Sequence, residues 1–373
     1  MVAPVAVTGA AWSTALGNGL GEVWRRLLAG EHGFVEVPSP HRLRNGLAAV
    51  VRPSEDAPAP RLRRLAVETL GRALSEAGLA TGGAHTRLVL GTSLGAYLDD
   101  AQEREGPLHA WVEEVARSVG SATPPVSLST ACSSGADAIL VGAELIRAGL
   151  AEVCVCGGVD VLAHSKRLAH SALSTMSPTR LRAFDQGHDG MLLGEGAGFL
   201  VLESMAHARA RSAPVFAVFR GAGSANDAAS MTSPDPSAAG ARFAISRSIA
   251  DAGLSPSDIG LINAHGSATP LNDRAEAEAF RAVFGAGAGP LVFATKGAFG
   301  HSLGATGALE AIALILGLRE GVVPPVVGLE QPDPDFPCPL PVGKPVQHQA
   351  RFGLSLTLGF GGFDTSLVFE VPR

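Results

Sequence analysis

The sequence of 373 residues predicts an α/β protein built from two duplicated αβ halves, residues 1–210 and 211–373. Short apolar runs typical of strands alternate with helix-like segments, which favours mainly parallel sheets covered by helices. Three short phrases also recur in the same order in both halves. They are residues 73–79 with 249–254, 145–149 with 317–321, and 156–160 with 360–364. We therefore expect one αβ unit to occur twice, each unit with its own mainly parallel sheet.

Composition limits the classes of protein that fit. Hydrophobic residues make up 46% of the chain and charged residues 17%, so a sizeable core is expected. A net charge of −6 provides no basic field for nucleic acid. No apolar run reaches the roughly 18–20 residues that cross a bilayer, and no basic leader is visible. The four cysteines are too few and too scattered for a disulfide framework, and we expect a cytoplasmic protein.

Each element of the first half follows from a local pattern. Strand-like runs are found at 5–8, 87–91 and 152–156; helical patterns at 18–28, 61–77 and 97–119; a loop rich in Pro and Arg at 36–60. Cys154 and Cys156 lie inside the apolar run of the third strand with no second ligand pair nearby. We interpret these two cysteines as core residues and expect no metal site.

The stretch 126–140 is the centre of the first half. It begins as a strand, turns at residues 130–134 and continues as an apolar helix that ends near Gly149. Cys132 is therefore expected beside the free N–H groups at the start of a buried helix, where a thiol loses its proton more easily. The alternative is a buried cysteine that acts as a small hydrophobic residue.

The first half ends with a Gly-rich turn that leads into a buried strand at 194–202, and no helix or Lys-Ser/Thr pair follows it to make a phosphate loop. The second half continues the alternation. Strands are predicted at 215–221, 259–263 and 291–295, helices at 243–252, 274–284 and 303–318, a polar loop at 224–240, and a final strand pair from 352 to 369.

Two histidine motifs lie at the starts of helices in this half. His265 ends a predicted strand, and Gly266 allows the chain to turn there. Lys296 and His301 precede the apolar helix, in which Glu310 is the only charge between residues 303 and 318. A histidine at the mouth of a sheet can move a proton, whereas the plain alternative is a histidine satisfied by a turn. Glu310 either faces water or pairs with a cation such as Lys296.

The sequence Leu-Gly-Phe-Gly-Gly-Phe-Asp at 358–364 completes the pattern. Glycines on both sides of an aromatic residue form either a mobile loop whose N–H groups approach a ligand or a tight hairpin. With Cys132 and the two histidines, this loop indicates acyl-thioester chemistry. The thiolate takes an acyl group, two imidazoles steady an enolate oxygen while a malonyl-type donor loses CO2, and the N–H groups of Cys132 and Phe360 hold the oxyanion. This chemistry requires no metal or redox cofactor.

These phrases resemble the β-ketoacyl-(acyl carrier protein) synthases of the thiolase superfamily. The sequence is most similar to the Cys-His-His elongating ketosynthases of type II fatty acid and polyketide systems. The phrases that match are residues 130–135, 189–198, 263–273, 295–301 and 359–362. The resemblance implies the five-layered αβαβα thiolase fold, which agrees with the duplication.

The resemblance also implies a role for each residue of the site. Cys132 is the acylated nucleophile, and His265 and His301 support decarboxylation and condensation. Lys296 and Glu310 organise the site. The remaining implied residues are Ser267 and Thr269 for the pantetheine arm, Phe360 as the gate residue and oxyanion donor, and Asp227, Leu358, Gly359, Gly361 and Asp364 in two gate loops.

Substrates and partners follow from the same resemblance. Substrates arrive on the phosphopantetheine of an acyl carrier protein, so no separate cofactor is expected. The chain pairs with a second copy or with a ketosynthase-like chain-length partner that lacks the cysteine. An acidic carrier would meet a basic rim, for which Arg61, Arg63 and Arg64 are candidates, although arginines on a helix are commonly a solvated face.

The departures from the family pattern lie around the gate. His-Gly-Thr-Ser-Thr is replaced by His-Gly-Ser-Ala-Thr at 265–269, Phe by Leu358, and Thr-Asn by Phe-Asp at 363–364, while the loop at 227–232 lacks its Tyr and His. We expect a specialised substrate and secondary rather than housekeeping metabolism. A non-elongating acyltransferase or cyclising enzyme is the alternative; the intact cysteine and histidines argue against a non-catalytic partner subunit.

One departure places two carboxylates near one joint. If the loop at 227–232 lies against the loop at 359–364, as in relatives, Asp227 and Asp364 come close together and the pKa of one of them rises. The plain alternative is that Asp364 caps a turn or pairs with an arginine.

Overall fold

The computed structural model describes residues 3–51, 56–80, 86–101, 105–285, 287 and 289–372. In the first half, the strands are β1 (Val5–Ser13), β2 (Phe34–Glu36), β3 (Leu47–Ala49), β4 (Thr86–Gly91), β5 (Val126–Leu128), β6 (Val153–Asp160) and β7 (Gly196–Ser204). The helices are α1 (Leu20–Leu28), α2 (Pro58–Glu76), α3 (Ala110–Ser118), α4 (Ser134–Arg147), α5 (His164–Ala172) and α6 (Met205–Ala210).

The second half repeats this mixture of elements. Its strands are β8 (Ala217–Asn226), β9 (Ile259–Asn263), β10 (Leu291–Phe293), β11 (Val322–Val323), β12 (Val346–Gln347), β13 (Phe352–Gly359) and β14 (Phe363–Glu370). Its helices are α7 (Ala239–Asp251), α8 (Pro270–Phe284), α9 (Lys296–Phe299) and α10 (Thr306–Glu320). Single 3-10 turns occupy Ala131–Ser133, Pro256–Asp258 and Leu303–Ala305.

The strand order shows the duplication directly. From the middle of the sheet outward, the first half runs β1-β7-β6-β4-β5 and the second half runs β8-β14-β13-β9-β10. Each position therefore holds the corresponding strand of the other half. The two sets join where β1 pairs with β8 over only three residues, from Val5 opposite Phe219 to Val7 opposite Ala217.

The prediction of two mainly parallel sheets is wrong in one respect. The ten strands form one continuous hydrogen-bonded sheet in the described part of the chain, and it is mixed. Strands β4, β5 and β6 are parallel, as are β9, β10 and β13, whereas β1, β7, β8 and β14 pair antiparallel to their neighbours. The turn between β13 and β14 is too short for a crossover, so these two strands must be antiparallel.

The repeated phrases differ in how well they correspond. The phrases at 73–79 and 249–254 contain the ends of α2 and α7, and those at 145–149 and 317–321 contain the ends of α4 and α10. The third pair does not correspond, because residues 156–160 lie inside β6 whereas 360–364 include the turn before β14. The division of the chain at residue 210 stays a prediction.

Helices α4 and α10 form the middle layer of the molecule. They pack against each other between the two sets of strands, while α2 covers β1, β6 and β7 and α7 covers β8 and β14. The order of layers is therefore helix, first set of strands, helices, second set of strands, helix, as expected. Glycines permit the close approach in the centre, because a Cβ on Gly135 would lie 2.9 Å from the carbonyl oxygen of Gly304.

Several predicted elements shift in the structure. Of the predicted helix at 97–119, Ala110–Ser118 is an α-helix, and 102–104 lie outside the described residues. The predicted loop at 36–60 contains β3 and the first turn of α2; its residues 52–55 also lie outside the description. The short helix α9 was not predicted, since four residues are too few for a periodic pattern. Across the described ranges, no helix is long and apolar enough to cross a membrane.

Candidate active site

Cys132 lies in the 3-10 turn that joins β5 to α4, and it is only 5% exposed. Ala131 before it adopts a left-handed φ of 50°, a strained conformation for a residue with a side chain. The hydroxyl of Ser134 accepts a hydrogen bond from the N–H of Thr130 at 2.9 Å and braces this turn. The backbone N–H of Phe360, from the far end of the chain, donates to the Cys132 thiol. The predicted strand-turn-helix is therefore present.

The protonation of Cys132 differs from the expectation. Burial raises the pKa of the thiol to about 11, although the Phe360 N–H and the Lys296 ammonium act in the opposite direction. Desolvation therefore outweighs the helix terminus, and the prediction of a thiol that loses its proton more easily is wrong for the resting site. The thiol must give up its proton as it reacts.

His265 and His301 line the same cavity as Cys132, which has a volume of about 210 Å³. Their ring centroids are 5.2 Å apart and the rings are nearly perpendicular. His265 follows β9, and a carboxylate of α8 fixes it from behind, because Glu276 accepts its backbone N–H at 2.7 Å. His301 follows α9 and precedes α10. Strand ends and helix starts thus bring the two predicted histidines together.

Hydrogen bonds determine the tautomer of both rings. The Nδ1 atom of His301 accepts the N–H of Leu303 at 3.0 Å, and Nδ1 of His265 lies 3.2 Å from the Lys296 ammonium. Burial and the Lys296 charge lower the pKa of both histidines well below the ordinary range, so both are neutral. A neutral imidazole that accepts at Nδ1 carries its hydrogen on Nε2. The pair therefore offers two neutral N–H donors.

Lys296 and Glu310 form a buried ion pair next to His265. The Nζ–Oε1 distance is 2.5 Å, and Lys296 also donates to the carbonyl oxygen of His265. Burial raises the pKa of Glu310 to about 7, although Lys296 lowers it. Of the two alternatives for Glu310, the structure shows the pair with Lys296.

Ser267 and Thr269 stand on the wall of the cavity, as expected. Their hydroxyl oxygens are 3.0 Å apart, and Thr269 directly precedes α8. The chain reaches this position through left-handed φ angles of 50° at Gly266 and 65° at Ala268. Two hydroxyls are thus available on one side of the cavity for a polar ligand.

Two loops meet above Cys132. Loop A is residues 226–232 and loop B is residues 359–363. Three hydrogen bonds join them: Asn226 Nδ2 to the Gly361 carbonyl at 2.7 Å, the Asp227 N–H to the Gly362 carbonyl at 3.0 Å, and the Gly361 N–H to the Met231 carbonyl at 2.9 Å. The predicted gate residues Asp227, Leu358, Gly359, Phe360, Gly361 and Asp364 all line the cavity. Loop B is also tied to the nucleophile turn by the Ser133 hydroxyl, which donates to the Phe363 carbonyl at 2.5 Å.

Asp364 is 3% exposed at the joint of the two loops. Burial, with the nearby charges of Asp227 and Asp235, raises its pKa to about 8. A Cβ added at Gly240 would contact a carboxylate oxygen of Asp364 and the Cβ of Asp227, so both side chains lie next to Gly240. Within the described ranges, no arginine pairs with Asp364. The pKa of Asp364 is therefore raised, as expected for one of the two carboxyl groups.

The prediction that Arg61, Arg63 and Arg64 form a basic rim is wrong. Arg61 is buried in a pair with Glu195. Arg63 pairs with Glu114, and Arg64 pairs with Asp56 at 2.7 Å. Carboxylates therefore neutralise all three guanidinium groups, and they do not form an open basic surface.

Sequence reasoning did not identify two features of the site. The carboxylate of Asp160, at the end of β6, accepts the N–H groups of Ser93 at 2.9 Å and Gly304 at 3.0 Å and pairs with buried Lys166, which anchors the segment after His301. The second feature is His170, whose ring stacks on Phe360. Asp160 ends the repeated phrase 156–160, but that phrase did not indicate a role for its carboxylate, and His170 belongs to no motif.

Comparisons with known proteins agree with this geometry. The family profile described as "Beta-ketoacyl synthase, N-terminal domain" matches residues 2–208, and "Beta-ketoacyl synthase, C-terminal domain" matches residues 216–330. The 3-oxoacyl-[acyl-carrier-protein] synthase 2 of Mycobacterium tuberculosis is 38% identical over 253 residues, which are 66% of this chain and 60% of that protein. Nodulation protein E of Rhizobium meliloti is 37% identical over 259 residues, 69% of this chain and 64% of that one. The match thus spans less than two thirds of these relatives.

Solved structures match over the whole chain. The ishigamide ketosynthase/chain length factor has a TM-score of 0.90 at 28% identity, with 100% of both chains covered. A type II polyketide synthase acyl carrier protein in complex with its ketosynthase, AntDE:AntF, gives a TM-score of 0.92 at 25% identity, again with 100% coverage of both chains. A beta-ketoacyl synthase from Burkholderia phymatum gives 0.90 at 29% identity, with both chains fully covered.

Proposed function

Since the chain belongs to the beta-ketoacyl synthase family, we propose that it catalyses decarboxylative Claisen condensation. The substrates are an acyl group held on Cys132 and a malonyl-type thioester on an acyl carrier protein. One observation carries the proposal: a buried cysteine, two neutral histidines with hydrogen on Nε2, and the backbone N–H of Phe360 all border one cavity.

The first step is acyl transfer. Sγ of Cys132 attacks the acyl carbonyl of a carrier-bound thioester, a new C–S bond forms, and the bond to the pantetheine sulfur breaks. The proton of the thiol ends on the departing pantetheine sulfur, so the exchange is balanced. The N–H groups of Phe360 and Cys132 stabilise the oxyanion during the attack, since the Phe360 N–H already reaches Sγ in the resting site.

The second step is decarboxylation and condensation. The malonyl group loses CO2, and the Nε2–H groups of His265 and His301 donate to the enolate oxygen that forms. The enolate carbon attacks the acyl carbonyl, a C–C bond forms and the bond to Cys132 Sγ breaks, and the departing thiolate takes up one proton from water to restore the thiol. Neutral donors suit this step because the enolate holds its negative charge only until the new bond is made. The steps use side chains and backbone N–H groups of this chain together with carrier-bound substrates.

Two partners follow from the proposal. One is the acyl carrier protein, whose pantetheine arm would contact Ser267 and Thr269 on the cavity wall. The other is a second chain of the same fold, either a copy or a chain-length partner. Strand β5 is an edge of the sheet in the described part of the chain, and a paired edge protects a protein from aggregation. Four free, buried cysteines fit a reducing compartment such as the cytoplasm.

The changed gate favours a specialised polyketide or fatty-acid-like substrate. It also supports one second candidate, a non-elongating acyltransferase or cyclising enzyme that uses Cys132 without adding a malonyl unit. Asp364, buried where the family pattern has Asn, is the specific observation behind both.

Mass spectrometry can test the proposal. The full chain is incubated with acyl carriers of several acyl lengths, and the peptide with Cys132 is analysed for the acyl adduct. A malonyl carrier is then added, and CO2 and the β-ketoacyl carrier are measured. We expect the acyl adduct, CO2 and the β-ketoacyl carrier from the native protein, and neither the adduct nor the β-ketoacyl carrier from Cys132→Ala, which should fold because a small residue replaces a small buried thiol. Acyl loading without CO2 release would favour the second candidate, and full condensation by folded Cys132→Ala would exclude the proposal.

A further inference from the structure

His170 lies in the last turn of α5 and is 7% exposed. Its Nδ1 atom is 2.9 Å from the hydroxyl oxygen of Thr175, and that hydroxyl also lies 3.2 Å from the His170 carbonyl oxygen. The N–H of Thr175 donates to the same carbonyl. Thr175 itself is part of the cavity wall. The turn that follows α5 therefore holds the imidazole in one orientation.

The face of this imidazole supports the Phe360 ring. The two centroids are 5.4 Å apart with an angle of 27° between the planes, which is a stacked geometry. Phe360 belongs to loop B, and its backbone N–H donates to the Cys132 thiol. Only the Cβ and Cα atoms separate the Phe360 ring from the backbone N–H of the same residue. Whatever holds the ring therefore also holds the donor at the nucleophile.

The stack is electrically neutral. Burial and the Lys166 ammonium one helical turn earlier lower the pKa of His170 to about 4. The ring is therefore uncharged at neutral pH, and it places no positive charge beside His301, which must itself stay neutral. A neutral aromatic surface at this place supports Phe360 without disturbing the two histidines of the site.

We propose that His170 is a positioning residue for the gate. Its imidazole, fixed by Thr175, is the surface on which the Phe360 ring rests when loops A and B are closed over Cys132. The stack holds the gate closed, keeps the Phe360 N–H at the nucleophile, and must break when a bulky group reaches the thiol. The role deepens the proposed function, because it sets which acyl groups enter the site.

Alkylation of Cys132 tests this role without any acyl donor. The full chain is treated with iodoacetamide, which is small, or with N-phenylmaleimide, which is bulky, and modification of the Cys132 peptide is followed by mass spectrometry. The ratio of the two rates cancels the reactivity of the thiol and reports gate opening. A ring stack is worth about two- to tenfold in this ratio.

Two replacements of similar size separate the stack from simple packing. His170→Leu fills the space without a ring, and it should raise the ratio of bulky to small reagent about two- to tenfold. His170→Phe keeps an aromatic face and should stay close to the native ratio. Phe360→Leu removes the other ring, which is only partly buried on loop B, and should raise the ratio like His170→Leu.

A double variant gives the decisive comparison. In a Phe360→Leu background the stack is already lost, so adding His170→Leu should change the ratio no further. An unchanged ratio in both single leucine variants, or a full His170→Leu effect in the Phe360→Leu background, would overturn the proposal. The alkylation assay needs only the Cys132 thiol, so its result does not depend on whether the protein catalyses condensation. Failure of the gate proposal can therefore be told apart from failure of the proposed function.

Discussion

At the scale of single residues, the two buried histidines share one protonation state through different contacts. Leu303 supplies an N–H to Nδ1 of His301, and Lys296 lies at Nδ1 of His265. Both rings therefore direct their donor function to Nε2. A charged imidazole would have to be desolvated in this site, and the low pKa of each ring shows that the neutral form prevails.

We predict that His265→Ala and His301→Ala still load an acyl group on Cys132 but release CO2 from a malonyl carrier about a hundredfold more slowly or worse. Loss of one donor to a developing oxyanion is worth roughly 3–4 kcal/mol. Loading is followed by mass spectrometry and CO2 by a coupled assay. A variant that decarboxylates at the native rate shows that its histidine does not serve as a donor.

The Lys296–Glu310 pair contributes to stability as well as to the site. We predict that Lys296→Met lowers the free energy of unfolding by about 3–5 kcal/mol, because Glu310 is then a buried charge without a partner. Glu310 already has a pKa of about 7, above its ordinary 4.5, so protonation relieves the variant at low pH. The loss should therefore be larger at pH 8 than at pH 6.

Urea denaturation at both pH values measures this effect. The double variant Lys296→Met/Glu310→Leu removes both charges and should recover most of the lost stability, with no remaining pH dependence from this site. Equal stability of native protein and Lys296→Met at pH 8 would contradict the account of the pair.

At the scale of elements, three hydrogen bonds hold loops A and B together, and the charges of nearby carboxylates oppose this closure. Asp364 has an ordinary pKa of 3.8 and a pKa of about 8 in the closed arrangement. The closed gate therefore binds a proton more tightly than an open, hydrated one. Its stabilisation is fully present below about pH 4 and is lost as the pH rises to about 8.

We predict that access of a bulky reagent to Cys132, relative to a small one, increases between pH 6 and pH 8 by up to about tenfold per pH unit. Asp364→Asn cannot ionise, so its ratio should be low and flat over the same range. The measurement is the alkylation ratio of N-phenylmaleimide to iodoacetamide at Cys132. A native ratio that does not change with pH, or an Asp364→Asn variant that keeps the native slope, would rule out this latch.

At the scale of the whole molecule, β5 is one of the two edge strands of the sheet in the described residues, the other being β10. In the described ranges, β5 pairs only with β4. Leu94 follows β4 and is 41% exposed, and the Ser129 hydroxyl contacts the Ser93 carbonyl beside it. An open edge with an apolar side chain nearby is typical of a surface that another chain covers.

We predict that Leu94→Asp shifts the protein toward the monomer in light scattering, because a charge would have to be buried in the interface. Leu150→Asp is the matched control: Leu150 is 65% exposed after α4, away from this edge, and its replacement should leave the mass unchanged. A native monomer, or equal masses for the two variants, would show that this edge is not the interface.

The sequence by itself determined the local features of the protein. Periodicity and turn residues predicted the helix after Cys132 and the strand before His265, and both are present. The order of motifs predicted the family, which the comparisons confirm. Repetition predicted two corresponding sets of strands, which the topology confirms. Such features depend on residues close along the chain, whose dihedral preferences and spacing a sequence displays directly.

The tertiary structure alone decided what depends on distant residues. Whether the strands join into one mixed sheet depends on a contact between β1 and β8. The stack of His170 on Phe360 and the contact of Phe360 with Cys132 join segments that no local pattern links. The arginines of α2 were misjudged because their carboxylate partners lie elsewhere. The pKa of Cys132 was misjudged for the same reason: desolvation is set by all the chain that surrounds a group, and the helix terminus that the sequence displays is only one part of that environment.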